Sequence, residues 1–456
     1  MDLLDTTIVH IALPAIQQSL HASTAQLQWV AASYTLSFAL TLVTAGRIGD
    51  IVGRKRMVLA GIAGFVLASA VCAFAPSIAV LLLGRVLQGL TGAFVMTQGL
   101  SIFQVAFPPG ERATILGLFG AVVAISTAVG PVLGGLVVEA DLFGLGWRPV
   151  FLINLPVGIA TLIGAALFVR ESRAQRPPTL DLTGVAILTA ALLALLYPLV
   201  QGRALGWPVW TYLVMLASAP LFALFVYHQR LAHRRGSTPL IQPELLRQRP
   251  FVAGLAGLLV FYAGIPSLFF VFAIYLQQAL HFTALQAGLA MVAWPLATMP
   301  ISIASTRLAT RYGPRVLTVG AIVVAAGQVL LIASIPEAGV AVGAWHFVPA
   351  MIVGGIGLGL VAAPIVDVIL ARVPTTSAGS ASGLLNTTEQ LAAAAGVALI
   401  GTIFFGELTT ADVRQQVAFA GAIQTALWVN VGLIVSSAAV TLLLPRRHAS
   451  DDTLPP

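Results

Sequence analysis

GRIGDIVGRKRMVLAG, residues Gly46 to Gly61, joins two long apolar runs through a turn that holds one acid, Asp50, among Arg47, Arg54, Lys55 and Arg56. Two apolar spans linked by so short a basic turn read as a membrane hairpin pinned at the cytoplasmic surface, because positively charged loops stay inside. The glycines, Gly46 and Gly53 among them, let two helix ends approach closely and turn sharply. Asp50 either neutralises the arginines or caps the N-terminus of the following helix.

Composition extends that reading to the whole chain. Of 456 residues, 58% are hydrophobic and 9% are charged, and the mean hydropathy is +0.97. Soluble proteins carry about 25% charged residues, so an all-α integral membrane protein is expected. The single cysteine, Cys72, excludes an internal disulfide and a cysteine-based metal site. The net charge of +7 follows membrane topology rather than a basic face for nucleic acid. No basic n-region with a small-residue cleavage site precedes the first apolar run, so the chain itself is expected to act as the insertion signal.

Apolar runs of spanning length lie near 27–47, 57–75, 78–98, 113–138, 150–169, 181–201, 209–228, 251–277, 285–305, 315–334, 346–367, 383–405 and 424–444. With the segment that begins at Met1 they predict fourteen helices. An even count with the N-terminus inside assigns nineteen of the 23 basic residues to the inner side, Arg112, Arg176, Arg372, Arg446 and Arg447 among them. The outer side receives only Arg148, Arg203 and Arg414, and Arg85 stands alone inside an apolar run. That imbalance supports both the count and an orientation with both termini cytoplasmic. The first span is short: from an outer end near Gln17 back to Met1 it covers about 24 Å of a ~30 Å core. A start further upstream is the expectation, with a truncated helix or a locally thinned bilayer as the alternatives.

A shift of 260 residues lays Arg47 on Arg307, Gly53 on Gly313, Lys55 on Arg315 and Ala60 on Gly320, whereas Asp50 falls on Thr310. The expected organisation is a six-helix bundle over 1–170, two extra helices with linkers over 171–249, a second six-helix bundle over 250–445 and a cytoplasmic tail over 446–456. Repeated halves with a site near the midplane are the plan of secondary transporters. A phosphate-cradling loop needs a lysine before Ser or Thr, but Lys55 is the only lysine and is flanked by Arg54 and Arg56. Uphill transport by this chain alone must then draw on an ion gradient.

Ionisable groups inside apolar spans are expensive and mark function by default. Asp5, in LLDTTIVHIALPAI, lies about 18 Å along the helix from Gln17 and is a candidate proton-exchange or cation-binding group, unless it sits in the inner headgroup region. His10 is either a proton relay or a buried polar contact. Arg85, in LLLGRVLQGLTGAF, cannot shuttle protons but can hold a carboxylate or orient an anion; the alternative is a tie to backbone carbonyls. Gln88 continues its face. Glu389 and Asn386, in GLLNTTEQLAAAAG, form a polar patch that faces either a cavity or a neighbouring helix. Gly130-Pro131 with Gly134-Gly135 suits a helix that bends as access alternates, or plain close contact. Among the aromatic residues, Tyr34 and Trp294 are candidates to line an apolar cavity. No metal-ligand cluster and no nucleophile–base set is apparent, so neither an enzyme nor a cofactor is expected.

Several stretches together resemble the major facilitator superfamily, and within it the fourteen-span drug:proton antiporters. LDTTIVHIALPAI with LQWVAASYTL looks like their first two helices, GRIGDIVGRKRMVL like the superfamily loop signature, and LLLGRVLQGLTGA like the fourth-helix motif with its arginine. GPVLGG is similar to the fifth-helix antiporter motif, and WRPVFLINLPVG matches at the sixth helix. The resemblance implies two bundles with alternating access and export by exchange. It assigns proton coupling to Asp5, gives Arg85 a coupling or orienting role, and makes Asp50 with its arginines a gate latch. His10 stands where the family pattern usually has asparagine. Glu389 stands where many relatives have a basic residue, which would favour cationic substrates. The expected protein is a proton-coupled exporter of amphipathic small molecules such as antibiotics, monomeric, in a bacterial inner membrane. A dedicated exporter of one metabolite and a non-transporting sensor are the alternatives.

Overall fold

The computed structural model describes residues 2–106, 109–173, 180–235, 239–240, 244–336, 342–370, 373, 378–410 and 415–442. Arg176, Arg372, Arg414, Arg446, Arg447 and the tail lie outside the described residues, as does the side chain of Arg112. In chain order the α-helices are α1 (Asp2–Leu20), α2 (Thr24–Val52), α3 (Arg54–Ala73), α4 (Ile78–Ala106), α5 (Pro109–Glu139), α6 (Pro149–Leu152), α7 (Asn154–Phe168), α8 (Leu182–Gln201) and α9 (Val209–Arg234). The second part holds α10 (Arg249–Gln278), α11 (Ala284–Tyr312), α12 (Arg315–Ala333), α13 (Val348–Ala362), α14 (Pro364–Leu370), α15 (Ala378–Thr410) and α16 (Gln415–Thr441). The described residues contain no strand. In hydrocarbon each backbone N–H and C=O must find its partner within the segment, which the helix alone provides without neighbours.

Among the described residues, eleven segments are long and apolar enough to cross a membrane, or twelve if the two arms of α2, bent by 50°, form one span. The breaks between α6 and α7 and between α13 and α14 interrupt single apolar segments, Pro149–Phe168 and Ala344–Leu370. The first helix runs to Leu20 rather than Gln17, which adds about 4.5 Å to its length and places Asp5 about 22 Å from that end.

Helix ends carry the repeat. Ser23 caps α2 by accepting from Gln26 N (3.3 Å), and Gln26 Oε1 accepts in return from Ser23 N (2.8 Å). Thr283 and Gln286 form the same reciprocal cap on α11, at 3.2 and 3.0 Å. Both helices then end on a glycine at positive φ, Gly53 at 125° and Gly313 at 61°, a region that residues with a side chain rarely adopt. The two basic turns therefore share a backbone device, although only the first keeps its acid.

Helix pairing repeats as well. The contacts of α2 with α4, α3 with α4, α3 with α7 and α1 with α5 recur as α11 with α13, α12 with α13, α12 with α16 and α10 with α15. The two sets meet through α5 against α11 and α15 against α2, pairs that exchange under the same correspondence. Near the arginine-poor end, Gln277 Nε2 donates to Ile11 O (3.0 Å), Gln278 Nε2 to Gln17 Oε1 (2.6 Å) and Leu285 N to Glu139 Oε2 (3.3 Å). The α8–α9 pair stands beside α2 and α15. Arg203 Nη2 holds Gly406 O (3.0 Å) at one end, and at the other Arg47 donates to Pro239 O.

Candidate functional site

The polar centre of the first helix set assembles from α1, α3, α4 and α7. Arg85 and Gln88, three residues apart on α4, project from one face of that helix. Arg85 Nη1 donates to Asp5 Oδ2 and, at 2.9 Å, to Gln88 Oε1. Asp5 Oδ1 accepts from Asn154 Nδ2 at 2.7 Å and from Gln88 Nε2 at 3.2 Å. Gln88 Nε2 also donates to Ser69 Oγ at 2.8 Å, and Cys72 Sγ stands 3.4 Å from Gln88 Oε1. Arg85 Nε is tied to Val30 O at 3.1 Å, and the Tyr34 ring lies 4.3 Å from its guanidinium carbon.

Asp5 and Arg85 are each only 1% exposed. Desolvating an isolated carboxylate or guanidinium costs several kcal/mol, and an ion pair offsets this only when the remaining lone pairs and protons are also satisfied. Here both carboxylate oxygens are occupied, and the arginine is held by a carbonyl, an amide oxygen and a ring face. The pair and its amide partners tie helices α1, α4 and α7 together through one cluster.

The basic turn is organised by two acids. Asp50 Oδ1 accepts from Arg54 Nε (3.1 Å) and Nη2 (2.8 Å), four residues on. It does not cap α3. That task falls to Glu171, whose Oε1 accepts from Lys55 N (3.1 Å) and whose Oε2 accepts from Arg56 N (3.3 Å). A carboxylate at a helix N-terminus satisfies amides that have no partner inside the helix and meets the positive end of its dipole. Arg54 N adds a bond to Ser172 O at 3.0 Å, and Lys55 Nζ reaches Ala166 O at 2.7 Å. Gly53 admits this clamp, since a Cβ there would come within 2.7 Å of Glu171 Oε1. A Cβ at Gly46 would meet nothing within 4 Å, and the Arg56 guanidinium is 3.7 Å from Glu171 Oε2.

Gly130, Pro131, Gly134 and Gly135 lie in α5 where it is wedged between α1 and α11. A side chain at Gly130 would strike Thr7, and one at Gly134 would press on Ile8, both on α1. A Cβ at Gly135 would lie 2.5 Å from Ala284 O and Leu285 Cα on α11, and one at Gly288 would collide with Pro131 O. The motif thus brings two backbones from different helix sets into contact, as small residues do within membranes.

The remaining candidates separate. Tyr34 and Gln88 belong to the Asp5 cluster. Trp294 on α11 is buried against Gly354 of α13, with Phe269 edge-on at 5.5 Å. Asn386 and Glu389 are half-buried on α15, and Glu389 lies within electrostatic range of Tyr262 on α10. His10 is edge-on to Phe270 at 6.3 Å.

Sequence reasoning missed Asn154 and Ser69, although Asn154 is the one amide in INLPVGIATLIGAALF and an isolated amide in an apolar run is a usable signal. It missed Glu171, which meets residue 55 only through the fold. It also missed Asp181, whose oxygens accept from His228 Nε2, Gln229 Nε2 and Gly184 N, each at 2.8 Å.

The chain is 40% identical over 436 residues to a probable actinorhodin transporter of Streptomyces coelicolor, covering 93% of this chain and 75% of that one. It is 36% identical to a tetracenomycin C resistance and export protein of Streptomyces glaucescens, over 88% of this chain and 73% of the relative. It is 33% identical to a puromycin resistance protein of Streptomyces alboniger, over 99% and 90%. In fold it is similar to a bacterial homologue of the human lysosomal transporter Spinster, crystallised inward-facing and occupied, with TM-score 0.70, 16% identity, and coverage of 97% of this chain and 93% of the other. The family model described as Major Facilitator Superfamily matches residues 1–397, and the chain belongs to that superfamily.

Proposed function

We propose that the protein is a proton-coupled antiporter that exports amphipathic small molecules, drugs or antibiotics among them, across the cytoplasmic membrane by alternating access. The observation that carries this reading is the Asp5–Arg85 pair with Gln88 and Asn154, an ionisable centre sealed from solvent between three helices. A proton arriving from outside neutralises Asp5, weakens its hold on Arg85, and favours substrate release and return of the empty carrier. Glu389 joins Asp5 and Arg85 as a proton-coupling residue and favours cationic substrates, and Tyr34, Gln88, Trp294 and Asn386 are assigned to the substrate cavity. The bundles are 1–170 and 250–445, with 171–249 inserted between them and 446–456 as a tail. Fourteen spans with both termini cytoplasmic agree with the arginine distribution, and the working unit is a monomer.

In this scheme Asp50, Arg54 and Arg56, with Gly46 and Gly53, form a latch at the cytoplasmic end. Gly130, Pro131, Gly134 and Gly135 form the seam on which the bundles rock, supported by their close approach to α1 and α11. Dye efflux from everted vesicles under an imposed pH gradient tests the coupling. Asp5→Asn is expected to abolish gradient-driven flux while the dye still binds; unchanged flux would remove Asp5 from the mechanism.

A second reading has one observation in its favour. Two relatives carry names that mention transport or export of a single compound, actinorhodin and tetracenomycin C. A dedicated exporter of one product would leave chemically unrelated dyes unmoved in the same vesicles.

A further inference from the structure

The α8–α9 pair lies along the seam between α2 of the first helix set and α15 of the second. Leu188, Leu192, Leu196 and Val200 recur every four residues on α8 and form one stripe. They pack in a single cluster with small residues of both neighbours, Ala32 of α2 and Ala394 of α15 among them. Lipid tails are as apolar as leucine, so such a stripe gains no hydrophobic attraction and leaves the helices free to slide. Where the pair is fastened is decided by its polar ties.

Those ties lie on opposite helix sets at opposite ends. At the arginine-poor end Arg203, just past α8, donates to two carbonyls of α15: Gly406 O at 3.0 Å and Thr402 O at 3.4 Å. Thr402 Oγ1 donates in return to Leu199 O at 2.8 Å. The charge bias that draws arginines to the other side gives Arg203 no topological task. Toward α2 this end presents a ring, Tyr197, 6.3 Å from Trp29. At the basic end Arg47 of α2 donates to Pro239 O, beyond α9, and lies within electrostatic range of Asp181 at the start of α8. Asp181 pins α8 to α9 through His228 Nε2 and Gln229 Nε2, each at 2.8 Å, so Arg47 meets a braced end of the pair. Leu240, next to Pro239, is buried in the α8 cluster. With twenty residues α8 is about 30 Å long, the thickness of the hydrocarbon core. The pair is thus a stiff diagonal, held to the first set at one face of the membrane and to the second set at the other.

When two bodies rock about a line midway between their ends, one end closes as the other opens by a like amount. A diagonal from one end of the first body to the opposite end of the second then keeps a nearly constant length. It must lengthen if both ends part together. We propose that the α8–α9 pair is a diagonal strap, fastened by Arg47 and Arg203, that lets the two helix sets rock but forbids both ends from opening at once. A doubly open state is a continuous path that dissipates an ion gradient, so the strap protects exchange against leak. Arg47 and Arg203 are positioning residues: they act through the inserted pair, and neither belongs to the Asp5 cluster. This task for the inserted helices goes beyond the exporter reading and rests on its alternating access.

The test uses the full chain in sealed proteoliposomes under an imposed pH gradient, with pyranine inside to report proton leak and Hoechst 33342 as the transported dye. Arg47→Ala and Arg203→Ala each remove one hydrogen-bonded tie that excludes the doubly open state, so each is expected to raise the dye-free leak about five-fold with the dye's Kd within about two-fold of wild type. Arg203→Lys keeps a donor for the carbonyls and should leak less than Arg203→Ala. A covalent tie separates a strap from a gate latch. Arg203→Cys with Gly406→Cys, joined by a short bismaleimide while buried Cys72 stays in place, should return the leak to the wild-type level and retain gradient-driven dye flux. Flux lost on joining would mark a contact that must open in every cycle and would overturn the strap. Wild-type leak in both alanine variants, with normal flux, would overturn it and leave the exporter standing. Absent flux in every protein, with leaking alanine variants and a tight joined variant, would overturn the exporter reading and keep the strap. Leak accompanied by lost dye binding and a lowered unfolding temperature would show general loosening of the fold and overturn the proposal.

Discussion

In the first helix set α1, α4 and α7 converge on a carboxylate and a guanidinium; in the second, α10, α12 and α16 converge on amides and a hydroxyl. Asn430 Nδ2 on α16 donates to Gly264 O of α10 at 2.8 Å and lies 3.3 Å from Ser267 Oγ, and Gln328 Nε2 on α12 is 3.5 Å from Asn430 Oδ1. Ser267, Gln328 and Asn430 are fully buried. In each set an asparagine on or opening the last helix reaches the first: Asn154 to Asp5, and Asn430 to Gly264. The shared architecture is an amide tie between first and last helices. The difference is charge. A neutral network holds helices together at any pH, whereas an ion pair can be broken by one proton.

That contrast breaks most sharply at Arg85. Arg85→Leu strands the Asp5 carboxylate in a dry site and is expected to destabilise the protein by about 3–5 kcal/mol. Adding Asp5→Asn should recover much of that loss in thermal unfolding, and a double variant no more stable than Arg85→Leu would show that the pair is not coupled.

A smaller effect is expected in the second set. Asn430→Leu removes a neutral tie, so a loss of about 1–3 kcal/mol should accompany gradient-driven flux within two-fold of wild type. Flux as low as that of Arg85→Leu would show that charge is not what distinguishes the two centres.

The smallest effect concerns α8 and α9, where the acid sits at a helix end rather than in the membrane core. Burial pushes the Asp181 carboxyl up, but bonds from His228, Gly184 and Gln229 outweigh it and hold the group below the usual carboxylate range. A depressed folded pKa stabilises the protein above the unfolded value of about 3.9, and the benefit fades as pH falls through the folded value. Asp181→Ala should therefore cost about 1 kcal/mol at neutral pH, and melting curves of variant and wild type should converge in acid. A gap that widens in acid would reverse the assigned sign.

How much of this was legible beforehand differs by feature. The reciprocal caps Ser23–Gln26 and Thr283–Gln286 follow a pattern written in the sequence, a Ser or Thr three residues before a Gln. Reading Asp5 and Arg85 as costly charges inside apolar runs needed only the sequence, because hydrocarbon penalises any charge whatever its neighbours. Asp50 was legible as a neutraliser of arginines because its partner is four residues away on the same stretch.

By itself, then, the sequence determined that the chain is helical and membrane-embedded, which end is basic, and which ionisable groups lie in apolar runs, since these depend on composition and local spacing. Only the tertiary structure decided that Asn154 and Gln88 share the Asp5 carboxylate, that Glu171 rather than Asp50 caps α3, and that the α5 glycines meet both α1 and α11. Those partners stand 83 to 150 residues apart in the chain. Neither hydropathy nor helical period carries information across such distances; only the way the helices are brought together does.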